Sequence, residues 1–152
     1  MGSAIMAANM KGGVGKSTLT CYLADYFRKF QKKRVLSLID TDLQGSTYEM
    51  LGTDGRFANL RHLPVGDRYD AVNLVTVDTL VRSHLSTAND LLLIDTSAGK
   101  PDNICQIAMM CHCSLYLSRV SISTRVNRAG RFELFLTCVM FRCRWMALNF
   151  QG

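Results

Sequence analysis

Met10-Lys11-Gly12-Gly13-Val14-Gly15-Lys16-Ser17-Thr18 is the stretch on which the reading of the whole chain turns. Gly12, Gly13 and Gly15 allow the backbone to curl until several N–H groups converge, an arrangement suited to phosphate oxygens. Just before it, Ala4 to Ala8 is a short apolar run consistent with a buried strand. Just after it, Leu19, Tyr22, Leu23, Tyr26, Phe27 and Phe30 recur in helical steps and predict one apolar helix face. Lys29, Lys32 and Lys33 follow at the end of that helix, where cations suit its dipole. A Gly-rich turn between a strand and a helix is the context in which a lysine and a hydroxyl acquire defined roles. Lys16 would reach the β- and γ-phosphates of a nucleotide, and Ser17 would ligate Mg²⁺.

Outward from this loop, strands and helices alternate. Val35 to Ile39 reads as a second strand ending at Asp40, and Ser46 to Leu51 as a short helix closed by Gly52. Residues 53–70 carry turn signals at Gly55, Pro64 and Gly66. Val72 to Val77 reads as a strand, Asp78 to Ser86 as a helix, and Leu91 to Ile94 as a strong strand ending at Asp95. Asp102 to Cys111 suits a helix with Asp102 as its cap, Leu115 to Val120 a strand, and Arg128 to Phe141 a helix. The alternation predicts an α/β fold, a doubly wound and mostly parallel sheet with helices on its faces. Ligands of such sheets bind at the carboxyl ends of the strands.

Asp40, Asp42 and Asp95 stand at those ends. A carboxylate that follows an apolar strand near a phosphate loop can hold Mg²⁺ directly or through water. The lesser alternative for each is a solvated strand-end Asp or a helix cap.

Composition sets the outer bounds. The chain has 152 residues, a formal net charge of +6 and 48% apolar residues, which excludes a disordered chain and fits one domain spanning 1–152. Six cysteines are too sparse for a disulfide scaffold. No basic segment precedes the N-terminal apolar run, and Met6 stands where a myristoylation signal needs Ser or Thr. Glu133, Arg142 and Arg144 interrupt the longest apolar stretch, so no membrane span is predicted. These features predict a cytoplasmic setting with free thiols. The charge is uneven: residues 1–100 hold 12 basic and 10 acidic groups, whereas residues 101–152 hold six arginines and two acids.

Three motifs in order resemble the ParA/MinD family of dimeric ATPases. Lys11 to Thr18 is similar to that family's deviant Walker A box, with Met10 at the usual first glycine and Lys11 at the signature lysine. Val35 to Gly45 resembles the strand ending in Asp-x-Asp-Pro-Gln-Gly, with Leu43 in place of Pro. Leu91 to Gly99 resembles the Walker B and switch II segment, with Ser97 where Pro is common. Leu115 to Ser123 is weakly similar to the next strand and turn, with Arg119 where a Pro is usual. The likeness is clear over residues 4–52 and 90–100, and it fades after about residue 123.

The resemblance implies a P-loop NTPase that binds ATP and Mg²⁺ and hydrolyses ATP as a homodimer. It implies nucleotide contacts at Gly12, Gly13, Val14, Gly15, Lys16, Ser17 and Thr18, with Ser17, Asp40 and Asp95 around the metal. It gives Asp42 the attacking water and Lys11 the partner's nucleotide. Gln44, Gly45 and Gly99 would sense the γ-phosphate. The process implied is plasmid or chromosome partition, with non-specific DNA and a centromere-binding protein as partners and a nucleoid-associated location. Two alternatives stand beside it: a MinD-like or conjugation-related positioning ATPase, and a truncated, inactive P-loop remnant.

Weaker features remain. Cys105, Cys111, His112 and Cys113 lack metal-ligand spacing and read as core or surface thiols, as do Cys138 and Cys143. An iron–sulfur site of the kind in related nitrogenase iron proteins is a remote reading of them. His62 and His84 read as surface residues. Arg119, Arg125, Arg128, Arg131, Arg142 and Arg144 fit either phosphate contacts or a solvated face. Segment 128–150 reads as a core helix rather than a membrane anchor. Residues 124–152 fit a native, a frameshifted or a truncated end.

Overall fold

A computed structural model describes residues 1–53, 55, 57–66, 70–98, 101–111, 113–116, 121–126, 132–137 and 141–143, with side chains as far as Cys111. β1 (Ser3–Ala8) runs into α1 (Lys16–Phe30), and β2 (Val35–Asp40) into α2 (Ser46–Gly52). β3 (Leu60–His62), α3 (Asp70–Ser86), β4 (Asp90–Asp95), α4 (Pro101–Met110) and β5 (Cys113–Tyr116) follow. β6 (Ser121–Val126), β7 (Phe132–Thr137) and β8 (Phe141–Cys143) complete the described elements.

The main sheet has the order β3-β2-β4-β1-β5-β8. The first five strands are mutually parallel, and β8 pairs antiparallel with β5. The fold is therefore α/β with a mostly parallel sheet. Its two faces are read directly from strand alternation, because successive side chains point to opposite sides. Ile5 and Ala7 of β1 and Leu91 and Leu93 of β4 join Leu19, Ala24 and Phe27 of α1 and Leu51 of α2 in one core. Ala4, Met6 and Ala8 of β1 and Leu92 and Ile94 of β4 join Val77 and Val81 of α3 and Ile104 and Ile107 of α4 in the other. Helices thus cover both faces, which is the doubly wound arrangement. The continuous apolar runs of β1 and β4 are explained by burial on both sides.

The strand order creates a switch point between β1 and β4. The chain leaves β1 towards β2 on one side and leaves β4 towards β5 on the other. The loops after these two neighbouring strands therefore diverge and open a crevice at their carboxyl ends. The paired register Ala7↔Asp95 brings the Gly-rich loop and the end of β4 to the same level.

Several sequence expectations change. Val72 to Val77 is not a strand but the first half of α3. Leu74, Val77, Val81 and Leu85 form one helical stripe against the core, while Val72 and Val75 are exposed. Val72, Val75 and Val77 are β-branched and suit a strand locally, and the segment is too short to show the helical stripe by itself. Arg128 to Phe141 is not a helix over its described part: Phe132–Thr137 is β7, paired antiparallel with β6, which had not been anticipated. Phe and Leu spaced at two and at three to four residues satisfy either period, and the cross-strand partner decides. The strand expected over Leu115 to Val120 begins earlier, at Cys113, and its residues 117–120 lie outside the described residues. Helix α1 forms as expected, but its buried line is Leu19, Ala24 and Phe27. Tyr22, Tyr26 and Phe30 are exposed, with ring contacts between Tyr26 and its two Phe neighbours. Among the described residues no helix is long and apolar enough to cross a membrane.

Candidate functional site

The loop between β1 and α1 is held open by two positive φ angles, +69° at Gly13 and +91° at Gly15. Only glycine adopts this backbone without strain, so the glycines are needed for the turn itself. The Lys11 N–H donates to Asn9 Oδ1 at 2.7 Å, which pins the start of the loop to the end of β1. Gly15 caps α1 with no side-chain hydrogen bond, and the first turn of the helix carries no acidic residue. The helix therefore offers its leading N–H groups and the positive end of its dipole with no side-chain anion of its own against them.

Lys16 is 6% exposed, a rare state for a lysine. Its Nζ donates to the Lys11 carbonyl at 3.3 Å, across the mouth of the loop. That bond uses one of the three donors of the ammonium, which keeps capacity for an anion. Lys11, by contrast, is exposed, as are Gly12, Gly13 and Thr18; Val14, Gly15 and Ser17 are half-buried.

Asp40 and Asp95 end the adjacent strands β2 and β4, in register with each other and fully buried. Their environments differ. Asp40 Oδ1 accepts the Asp42 N–H and Oδ2 accepts the Tyr48 N–H, both at 2.9 Å, so this carboxylate ties down both ends of the connection into α2. Asp95 Oδ2 accepts the Thr47 hydroxyl at 2.6 Å, but Oδ1 is buried with no hydrogen-bond partner among the described residues. Burial pushes the Asp95 carboxyl above its ordinary value. The hydroxyls of Thr47 and Ser17 pull it back, the Asp40 charge raises it and the Lys16 charge lowers it. An orphaned carboxylate oxygen near a hydroxyl and a lysine is costly unless a cation or water completes it. The donor set, hard oxygens from Asp95 and Ser17, fits Mg²⁺.

Asp42 lies just beyond β2 and is half-buried. Its Oδ1 accepts the Gln44 N–H at 3.0 Å, and its backbone carbonyl accepts the Gly45 N–H at 3.1 Å. Leu43 is 59% exposed and its side chain lies over Gly66, where a Cβ would stand 2.8 Å from it. Gly12 faces Ala98 of the segment after β4; a Cβ on Gly12 would stand 3.8 Å from the Ala98 Cβ. Gly99 lies outside the described residues.

Sequence reasoning missed four members of this neighbourhood. Thr47 is fully buried on Asp95; Thr41 donates to the Asp95 carbonyl at 2.8 Å; and Thr96 donates to the Ala7 carbonyl at 2.8 Å. Cys21 lies one helical turn beyond Ser17. Its thiol pKa is pushed up to about 11 by burial first, with a lowering hydrogen bond from Thr47 and raising charges on Asp95 and Asp40. The only sequence signal for these groups is proximity to the motifs. The two histidines, expected at the surface, are half-buried and hydrogen-bonded. His62 Nε2 lies 2.7 Å from the Asp42 carbonyl oxygen. His84 joins Leu80 O and Ser37 Oγ at 2.7 and 2.8 Å, linking α3 to β2. Of the suspected thiol cluster, Cys105 is exposed and Cys111 buried on the α4 side, while His112 lies outside the described residues. The side chains of Cys113 and of the late arginines also lie outside them.

A comparison with curated proteins finds none that matches the chain. The match to a family model extends past residue 123, where the motif likeness fades. That model is the CobQ/CobB/MinD/ParA nucleotide-binding domain; it covers residues 5–134, and the chain belongs to this family.

Proposed function

We propose that the chain is a ParA-like ATPase that binds ATP with Mg²⁺, dimerises on it and hydrolyses it slowly, in the service of plasmid or chromosome partition. The observation that carries the reading is a buried Lys16 whose charge acts on a buried, half-satisfied Asp95 beside the Gly-rich loop. One site thus offers a cation for phosphate and an oxygen for a metal.

The roles follow from position. The N–H groups of residues 12–18 cradle the phosphates, and Lys16 neutralises the charge near the bond that breaks. Ser17 and Asp95 hold the Mg²⁺, and Asp40 supports that shell while anchoring the neighbouring loop. The bound metal supplies charge neutralisation at the β- and γ-phosphate oxygens. Asp42 orients the attacking water and accepts its proton. Lys11 is exposed at the mouth, so it is free to serve the nucleotide of a second subunit. DNA and a centromere-binding protein are the partners of this reading, and the whole span 1–152 is taken as one domain.

The test is ATP turnover by the native chain and by Asp42→Ala, with and without DNA. Native turnover that needs Mg²⁺, together with an Asp42→Ala variant that binds ATP but does not turn it over, supports the assignment. Absence of turnover in the native chain under every condition refutes the ATPase reading. Co-sedimentation with DNA but not with anionic vesicles separates a partition role from a membrane-positioning one.

A further inference from the structure

His62 belongs to none of the motifs above, yet its ring is built into the loop that carries Asp42. β3 ends at His62, which is in register with Asp40 of β2. The ladder then continues beyond the strands: Leu63 N–H donates to the Asp40 carbonyl at 2.9 Å and Val65 N–H to the Thr41 carbonyl at 3.0 Å. This fixes the backbone from which the ring reaches over. His62 Nε2 stands 2.7 Å from the Asp42 carbonyl oxygen, and because that oxygen only accepts, Nε2 carries the proton. The ring lies against Gly45, whose φ is +64° and whose added Cβ would meet the ring at 3.1 Å. It also stacks on Tyr48, with centroids 5.6 Å apart and planes 26° from parallel. One side chain thus engages residues 42, 45 and 48, while Leu43, Gln44 and Ser46 between them are exposed.

We propose that His62 is a positioning residue that clamps the loop from Asp42 to Tyr48 in the conformation that presents the Asp42 carboxylate. The proposal rests on the reading that Asp42 acts in hydrolysis. Without the clamp, the Asp42 carbonyl keeps only the Gly45 N–H; the Asp40 carboxylate still holds the N–H groups of Asp42 and Tyr48, but the segment between them gains conformers that aim the Asp42 carboxylate elsewhere. His62 engages Asp42, Gly45 and Tyr48 and no residue of the Gly-rich loop by these contacts, so its loss should act on kcat more than on ATP affinity.

The experiment compares the native chain with His62→Phe, His62→Gln and Asp42→Ala. Hydrogen exchange is read without nucleotide; ATP affinity and kcat are read separately. Phe retains a ring for Tyr48 but has no donor, whereas the Gln side-chain amide can donate. His62→Phe should accelerate amide exchange in residues 41–48 by about fivefold, the equivalent of one hydrogen bond. Exchange in α1 and ATP affinity should stay at the native level while kcat falls by a similar factor. His62→Gln should recover most of both losses. Native exchange rates in 41–48 for the Phe variant, or a Gln variant no better than Phe, overturn the clamp. If Asp42→Ala hydrolyses ATP normally, the role of Asp42 is wrong, and the exchange comparison still decides the clamp.

Discussion

Asp40 and Asp95 are register partners on the adjacent parallel strands β2 and β4, both fully buried, yet only Asp95 retains an oxygen without a hydrogen-bond partner among the described residues. Two neighbouring carboxylates thereby have different surroundings. Backbone N–H groups occupy both oxygens of Asp40 and make it a structural anchor. The Thr47 hydroxyl occupies Oδ2 of Asp95 and the Ser17 hydroxyl lies near enough to lower the carboxyl's pKa, while Oδ1 has no hydrogen-bond partner among the described residues.

Thr47 is the residue that enforces this difference. Thr47→Val keeps the shape of a fully buried side chain but removes the donor to a carboxylate. A hydrogen bond to a charged group contributes about 2 kcal/mol, so the metal-free variant should lose about that much stability in urea titrations. An unchanged midpoint would mean that water replaces the hydroxyl at no cost.

The Asp95 carboxyl has a raised pKa in the fold, so the folded chain takes up its proton at a higher pH than the unfolded chain does. Its unfavourable contribution is therefore largest at neutral pH and shrinks as the pH falls through the folded value. Asp95→Asn should be most stabilising, relative to native, at neutral pH in EDTA, and this advantage should diminish on acidification. An advantage that grows as the pH falls would reverse the sign and refute the desolvation account.

Cys21 should be a slow thiol. With its pKa at about 11 rather than 9.0, the thiolate fraction at pH 8 is roughly a hundredfold lower than for an ordinary cysteine. Timed alkylation at pH 8, followed by peptide mapping, should label the exposed Cys105 well before Cys21. The same shift means that Cys21 favours folding below pH 9, and that this contribution is lost as the pH rises towards 11.

Lys16→Ala removes the buried ammonium from beneath the Gly-rich loop. Nucleotide binding, measured by calorimetry with ATP and Mg²⁺, should be abolished, while the melting temperature should change little, because the cost of burying the ammonium offsets its attraction to the Asp95 carboxylate. Retention of native affinity would remove Lys16 from the phosphate site.

The amino-acid sequence by itself determined the chemistry-bearing loop, the strands that flank it and the doubly wound α/β class. Each of these rests on short-range information: glycine spacing, an amphipathic helix, and apolar runs that end in Asp. The same local patterns misread Val72 to Val77 and Phe132 to Thr137, where helical and strand periods both fit and burial against distant elements chose between them. Only the tertiary structure decided which carboxylate is free. The partners of Asp40 lie within eight residues, but the Thr47 hydroxyl on Asp95 comes from 48 residues away. His62 reaches Asp42 from 20 residues away, through a three-residue strand without a pattern of its own. Such contacts are set by strand order and register, and no local spacing encodes them.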